Sequence, residues 1–288
     1  MSESQETDPL HHTSPGALYV VATPIGNLSD WSSRAREVLT HSDLVLCEDT
    51  RTSRVLLDHY GITRPLKAFH DHNEDQQTGQ LVQKLLGGAK IALISDAGTP
   101  LISDPGFRLV AAARLAGVAV LTVPGACAAV AGLSVCGLPC ERFIFEGFLP
   151  ASKKARVDRL EALLSESRTL VFYESTHRIV DMLTDLVNVF GGDRRAAVCK
   201  ELTKRFERTI TDSLATLLKI FETNAQLRRG EFVVIVEGAA EEHASAPEAR
   251  RVLAILAEAL PPALAAKLTS KITGIPRKQL YGGVDEAL

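Results

Sequence analysis

Short apolar runs without polar alternation recur through the first half of the chain, and a segment with helical spacing follows most of them. The runs are strand candidates and lie at residues 18–22, 43–47, 67–69, 91–95 and 118–123. The helix candidates between them lie at residues 31–40, 52–60, 78–86 and 105–116. Strands that are apolar on both faces are typical of a parallel sheet covered by helices on each side. The pattern therefore predicts a doubly wound α/β domain over residues 17–124.

The second half changes character, because its strand candidates follow one another with little between them. They lie at residues 143–145, 169–173, 196–199, 208–210 and 231–236, with helix candidates at 153–164 and 177–189. This arrangement is typical of a mixed or antiparallel sheet and predicts an α+β domain over residues 125–240. An Ala/Glu-rich linker follows Gly238, and a small helical extension is predicted over residues 247–288. Residues 1–16 are predicted to be a disordered tail.

Composition limits the class of protein further. The chain has 288 residues, of which 45% are hydrophobic and 23% charged, as is typical of folded globular proteins. Its net charge of -3 excludes binding to nucleic acid by bulk charge alone. Five cysteines without a CxxC pair argue against a zinc ribbon or a disulfide framework, and no apolar run is long enough for a membrane span. We therefore expect a cytoplasmic protein that holds no metal.

Three loops rich in glycine and proline follow strand candidates, where open α/β sheets bind their ligands. We call residues 22–28 loop 1 (ATPIGNL), residues 95–106 loop 2 (SDAGTPLISDPG) and residues 123–129 loop 3 (VPGACAA). Together these tight turns predict one crevice that a ligand can approach closely. The chain has no GxGxxG or P-loop motif, which disfavours a dinucleotide or a nucleoside triphosphate. Asp96 and Asp104 flank loop 2, and each could cap the following turn or hold a substrate.

Long stretches of sequence around these loops carry a family resemblance. They are LYVVATPIGNLSD, LCEDTRTSRVLL, ISDAGTPLISDPG, VPGACAAVAGL, FIFEGFLP, TLVFYESTHRI and CKELTKRFE. Over about residues 16–240 the chain resembles the tetrapyrrole methylase superfamily of S-adenosylmethionine-dependent methyltransferases, and most closely its ribosomal RNA branch. The resemblance implies 2′-O-methylation of a cytidine ribose in 16S ribosomal RNA, in the decoding region of the assembled small subunit. It also implies a homodimer.

The same resemblance implies a pocket for S-adenosylmethionine between the two domains. The residues assigned to the cofactor are Ile25, Gly26, Asp96, Ala97, Gly98, Thr99, Pro100, Ile102, Cys127, Ala128, Glu174 and Leu202. Cys127 stands where relatives have serine or threonine, so a backbone contact would survive there and a hydroxyl contact would not. A sulfonium cofactor carries no pyrophosphate and needs no anion site of the dinucleotide type.

A ribose hydroxyl is a weak nucleophile, so methyl transfer to it needs a general base or a polarising neighbour. The foremost candidates are Glu48, His70, Glu174 and Lys200, with Asp49, Asp71 and Glu201 as further ones. The sequence alone does not show which of these residues acts as the base, because charged loop residues are usually solvated or structural.

Clusters of positive charge predict contacts with RNA phosphates. The candidate RNA-binding residues are Lys153, Lys154, Arg156, Lys204, Arg205, Arg277 and Lys278. Aromatic residues make up only 5% of the chain, so no base-stacking platform is evident and recognition by shape and backbone is favoured. Two alternatives stay open, namely a methylase of a corrin or related ring and a non-enzymatic ribosome-binding protein that retains the fold.

Overall fold

A computed structural model describes residues 16–240, 246–277 and 280, and the side chains of all of these except 246–248. The predicted tail, apart from Gly16, lies outside the described residues, as does Lys278.

The described chain divides into two compact units. The first comprises residues 16–164 and 168–237, and the second comprises residues 165–167 together with those from 238 onward. Both β-sheets belong to the first unit. The domain boundaries predicted near residues 124 and 240 stay predictions.

Five strands form the first sheet, and all neighbouring pairs are parallel. They are β1 (Ala17–Val21), β2 (Leu44–Cys47), β3 (Leu66–Ala68), β4 (Lys90–Ile94) and β5 (Ala119–Val123). Helices follow the first four strands in turn: α1 (Ser33–His41), α2 (Thr50–His59), α3 (Glu74–Leu86) and α4 (Phe107–Leu115). Two separate clusters of buried apolar side chains draw on these strands. The predicted doubly wound parallel sheet is confirmed.

The order of the strands places a crevice between β1 and β4. Across the sheet the order is β3-β2-β4-β1-β5. The chain leaving β1 therefore crosses toward β2 on one side, whereas the chain leaving β4 crosses to β5 on the other. Loops diverge at such a point, and open α/β sheets bind ligands there. Loop 1 follows β1 and loop 2 follows β4, so the topology supports the predicted crevice.

The start of α1 shows how local polar groups set a helix boundary. A helix is predicted from residue 31, but α1 begins at Ser33. The Ser32 hydroxyl accepts the Ala35 backbone N–H at 3.1 Å and caps the first turn. Trp31 is instead buried, and its indole donates to the Ala22 carbonyl at 3.0 Å. The indole therefore fixes the first residue of loop 1.

The second sheet is mixed, as predicted for the α+β region. Its strands are β6 (Phe143–Phe148), β7 (Thr169–Glu174), β8 (Arg195–Lys200), β9 (Arg208–Ser213) and β10 (Phe232–Val236). The order is β6-β7-β10-β8-β9, with β6 and β7 parallel and the other pairs antiparallel. The accompanying helices are α5 (Ala128–Val135), α6 (Lys153–Glu161), α7 (Ile179–Phe190) and α8 (Leu214–Thr223). Helices α5 and α8 have no counterpart among the predicted helices.

The second unit contains the helices α9 (Ala246–Ala257) and α10 (Pro262–Thr273). Pro262 occupies the first position of α10, where its missing N–H costs no helical hydrogen bond. Gly274 ends the helix in the left-handed region, with a φ of 71°. Within the described ranges, no helix is both long and apolar enough to cross a bilayer.

All five cysteines fall within the described residues and are free thiols. Cys47, Cys136 and Cys199 are buried, and burial raises the pKa of the Cys199 thiol to about 11. These three cysteines therefore pack as small core side chains. No group of three or more His, Cys, Asp or Glu side chains in the described part of the chain is placed to hold a metal ion.

Candidate functional site

Backbone and hydroxyl hydrogen bonds tie the three loops into one structure. Thr23 of loop 1 and Gly98 of loop 2 exchange both backbone hydrogen bonds, at 2.8 and 3.1 Å. The Thr23 hydroxyl also donates to the Ser95 carbonyl at 3.1 Å. Thr99 of loop 2 donates its hydroxyl to the Ala126 carbonyl of loop 3 at 2.9 Å. The loops thus hold one another in place at the carboxyl edge of the first sheet.

Unusual backbone conformations concentrate in the segments around this edge. Among the described residues, the non-glycine positions with positive φ are Leu101 (72°), Ser103 (64°), Glu201 (51°) and Thr203 (66°). Two lie in loop 2, and the other two follow β8. Such conformations cost free energy and persist where surrounding contacts impose them, often at functional sites.

A cavity of about 330 Å³ opens between these loops and the second sheet. It is lined by Ile25, Asp96, Ala97, Gly98, Thr99, Ile102, Ser103, Asp104, Cys127, Ala128, Phe148, Tyr173, Glu174, Ser175, Cys199, Glu201, Leu202, Lys204, Glu231, Phe232 and Val233. Of the predicted cofactor residues, Gly26 and Pro100 are absent from this lining and the others belong to it. Their roles as cofactor contacts stay predictions.

Lys204 lies at the cavity rather than among exposed cations. Its ammonium forms ion pairs with Glu201 at 2.9 Å and Glu231 at 2.8 Å. Burial opposes ionisation of Glu201, but the Lys204 and Glu231 hydrogen bonds, together with the charges of Lys204 and Lys200, lower the pKa of that carboxyl. A side chain at Gly26, whose φ is 154°, would collide with the Lys204 side chain. Two carboxylates already hold the charge of Lys204, which argues against contact with an RNA phosphate, and its role in RNA binding stays a prediction.

A group of carboxylates gathers where β2, β3 and β4 end. Burial raises the pKa of Asp104 to about 6; a hydrogen bond with Ser95 opposes this rise, and the charges of Glu48, Asp96 and Asp71 add to it. Desolvation, followed by the charges of Asp96 and Asp71, also raises the pKa of Glu48. This edge of the cavity therefore holds carboxylates that are more basic than usual.

Of the four foremost catalytic candidates, Glu174 lines the cavity and Glu48, His70 and Lys200 do not. Glu174 is 2% exposed. Its Oε1 accepts the Ser175 N–H at 2.8 Å, and its Oε2 lies 3.4 Å from Nη2 of Arg178. These contacts favour a structural role for this carboxylate.

His70 and Lys200 lie at strand ends away from the cavity lining. Nε2 of His70 contacts Nδ2 of Asn73 at 3.0 Å, and its ring centroid is 6.0 Å from that of His72. Lys200 ends β8 and is half-buried. Neither side chain is placed among the residues that would surround a ligand.

Aromatic side chains that line the cavity, such as Phe148 and Tyr173, are not among the predicted site residues. The Tyr173 hydroxyl accepts the Ala129 N–H at 3.0 Å and so braces loop 3 against β7. The Tyr173 ring packs edge-on against Phe145 and Phe148, with centroids 4.9 and 5.6 Å apart. Tyr173 belongs to the FYES stretch of the resemblance, which is the one signal that could have pointed to it.

The predicted RNA-binding residues differ in their exposure. Lys153, Lys154, Arg205 and Arg277 are exposed, and their role stays a prediction. Arg156 is only 4% exposed, and its Nε donates to Oδ2 of Asp185 at 2.7 Å. The burial of Arg156 and its pairing with a carboxylate argue against contact with a phosphate, and its role in RNA binding stays a prediction.

The combination of a five-stranded parallel sheet and a five-stranded mixed sheet is shared with solved structures of methyltransferases. A uroporphyrin-III C-methyltransferase from Thermus thermophilus, complexed with S-adenyl homocysteine, matches 76% of this chain and 96% of its own at a TM-score of 0.52 and 18% identity. Residues 17–218 match the model of the tetrapyrrole (corrin/porphyrin) methylases, and residues 243–282 match that of the RsmI C-terminal HTH domain.

Curated relatives match nearly the whole chain. The ribosomal RNA small subunit methyltransferase I of Xylella fastidiosa (strain Temecula1 / ATCC 700964) is 55% identical, over 94% of this chain and all of its own. The protein of the same name from Escherichia coli O157:H7 is 48% identical, over 98% of this chain and 97% of its own. The chain belongs to the tetrapyrrole methylase family.

Proposed function

We propose that this chain transfers a methyl group from S-adenosylmethionine to the ribosomal RNA of the small subunit, at the 2′-oxygen of a cytidine ribose in the decoding region of 16S RNA. The observation that carries the proposal is the near full-length similarity to relatives named ribosomal RNA small subunit methyltransferase I. The enzyme would act in the cytoplasm, as a homodimer.

The charge of the cavity fits a sulfonium cofactor. Its lining holds five carboxylates, those of Asp96, Asp104, Glu174, Glu201 and Glu231, against the single ammonium of Lys204. In a partly buried site such an excess attracts a cation much more strongly than it would in water. The volume of about 330 Å³ also falls within the range of small-molecule sites.

The shape of the loops fits the same group. Gly98 has a φ of 89°, which disfavours any other residue, and a Cβ there would lie in tight contact with Ile25, 3.3 Å from its Cγ2. Ile102 and Leu202 add apolar surface. When bound, S-adenosylmethionine supplies an electrophilic methyl group; these loop residues would orient it and exclude water, which is chiefly a positioning task.

Labelling experiments test the proposed activity. Methyl-labelled S-adenosylmethionine is incubated with the protein and either small ribosomal subunits, free 16S RNA or a tetrapyrrole precursor, and labelled RNA is digested to nucleosides. We expect the label in 2′-O-methylcytidine. Label in a nucleobase would overturn the ribose assignment, and label in the tetrapyrrole alone would overturn the RNA proposal.

Replacing Cys127 by serine tests whether the cofactor contacts loop 3 through the backbone. Cys127 caps α5 without a side-chain hydrogen bond. We expect Cys127→Ser to change the Kd for S-adenosylmethionine by less than about fivefold, or about 1 kcal/mol, the scale of one net hydrogen bond. Because serine is a favoured N-cap, the Tm is expected to stay equal or rise. Titration calorimetry checks the first result, and a tenfold change in either direction would show that the side chain contributes.

A further inference from the structure

Asp104 differs in its surroundings from the other four carboxylates of the cavity, of which Asp96 accepts the Asp49 backbone N–H at 3.2 Å. Glu201 and Glu231 share the Lys204 ammonium. Glu174 accepts a backbone N–H and lies beside a guanidinium. The charged groups that raise the pKa of Asp104 are all carboxylates, namely those of Glu48, Asp96 and Asp71. A base surrounded by negative charge has more tendency to take up a proton than one paired with a cation.

The position of Asp104 also suits contact with a substrate. It lines the cavity at the far end of loop 2, next to Ser103, whose φ of 64° marks an imposed backbone conformation. Gly98 and Ile102, of the same loop, line the same cavity. Across it, Tyr173 of β7 is close enough for the Asp104 charge to raise the pKa of its phenol, after burial and Cys127. Asp104 thus lies at the wall of the cavity proposed to hold the cofactor.

We propose that Asp104 is the general base that removes the proton from the attacking ribose hydroxyl, an inference that rests on the proposed methyl transfer to RNA. The O–H bond breaks and its proton passes to a carboxylate oxygen of Asp104. The ribose oxygen forms a bond to the methyl carbon as the carbon–sulfur bond breaks, and that electron pair stays on sulfur. The positive charge of the sulfonium and the negative charge of Asp104 are both lost, so charge balances. The proton then leaves to water.

Asp104 has a basicity that suits this role. Burial, opposed by Ser95 and reinforced by the neighbouring carboxylates, holds its pKa at about 6. A carboxyl of this kind is mostly ionised at neutral pH and yet is a stronger base than an ordinary aspartate. His70 lies beside Glu48, where its charge favours ionisation of Glu48, and so belongs to the same electrostatic group.

The test is Asp104→Asn in the full-length protein, with Asp58→Asn on the exposed surface of α2 as the matched control. We expect Asp104→Asn to lower kcat by about 10²- to 10⁴-fold, the usual range for general-base catalysis. Its affinity for small subunits should stay within about threefold, and its affinity for S-adenosylmethionine by calorimetry should fall far less than kcat, because four other carboxylates line the cavity. Wild-type kcat/KM should rise about tenfold per pH unit up to about pH 6 and then level off, and the variant should lack this dependence.

Two readouts do not depend on activity. In protein labelled with carbon-13 at aspartate carboxyls, one resonance should titrate near pH 6 and be missing from Asp104→Asn. The folded-state pKa lies above the ordinary 3.8, so ionised Asp104 lowers stability as pH rises toward 6. The variant should therefore melt no lower than wild type at pH 8, and any advantage should vanish near pH 4.

The possible outcomes distinguish a failure of the proposed role of Asp104 from a failure of the proposed methyl transfer to RNA. If wild type labels ribose and Asp104→Asn keeps kcat within about threefold, Asp104 is not the base although the proposed function stands. If that resonance titrates near pH 4, the inference is likewise overturned. If wild type labels no ribose, the proposed function fails and takes the inference with it.

Discussion

Replacing Gly98 by tryptophan is expected to abolish binding of S-adenosylmethionine while the protein still folds. Gly98 has a φ of 89°, and its Cβ position lies 3.3 Å from Ile25 and 3.7 Å from the Ala126 carbonyl. An indole there would occupy the cavity between loops 1 and 3. We expect an affinity loss of at least about 100-fold, or about 2.7 kcal/mol. Gly98 is buried, but it lies in loop 2 beyond the end of β4, so circular dichroism should show native secondary structure.

Gly61→Trp is the matched control for backbone strain. Gly61 also has a positive φ, of 66°, but no heavy atom lies within 4 Å of its Cβ position. Both variants therefore carry a similar conformational cost, and only one fills the cavity. Unchanged calorimetric affinity in a folded Gly98→Trp protein would contradict the proposed location of the cofactor.

Reversing the charge of Lys267, Lys271 and Arg277 is expected to weaken binding to the small ribosomal subunit. The first two lie on α10, the third follows it, and all three are exposed. Each phosphate neutralised on single-stranded RNA contributes about -0.7 to the slope of log K against log salt. Losing three such contacts should flatten that slope by about two. Affinity for S-adenosylmethionine should stay the same, because no residue of the second unit lines the described cavity.

A second triple variant controls for net charge. Lys84, Arg114 and Lys219 are exposed on helices of the first unit, outside the predicted RNA-binding clusters. Changing them to glutamate alters the net charge equally and should leave the slope closer to wild type. A chain truncated after Gly238 provides an independent check. If both the triple variant and the truncated chain keep the wild-type slope, a structural or dimer-supporting role for the second unit becomes the better interpretation.

Much of the first sheet could be predicted because its signals are local. Runs such as LYVV and IALI are apolar on both faces, and each predicted strand lies within a residue or two of the observed one. Helix α5 was not predicted because its sequence, AAVAGLSV, is apolar almost throughout and shows no alternation of apolar and polar residues at helical spacing. Helix α3 begins at Glu74 rather than residue 78, and the Glu74 carboxylate accepts N–H groups of Arg108 and Leu109 from α4.

At the site, too, features set by local sequence could be predicted and features set by distant residues could not. Loops 1 to 3 are short continuous segments, so their meeting at one edge follows from the sheet alone. Whether an individual charged side chain is exposed or paired depends on residues that are distant in the sequence. Arg156 is neutralised by Asp185, 29 positions away, and Lys204 by Glu231, 27 positions away. No local pattern distinguishes these cations from the exposed Lys153.

The excess of carboxylates around the cavity has a consequence for turnover. In the proposed reaction the methyl donor enters as a sulfonium and leaves as a neutral thioether. The electrostatic attraction between its sulfur centre and the carboxylates therefore ends with the chemical step. A lining of five carboxylates and one ammonium then binds the demethylated product less strongly than it binds S-adenosylmethionine. On charge alone, the cavity therefore favours the sulfonium donor over the neutral product of the proposed reaction.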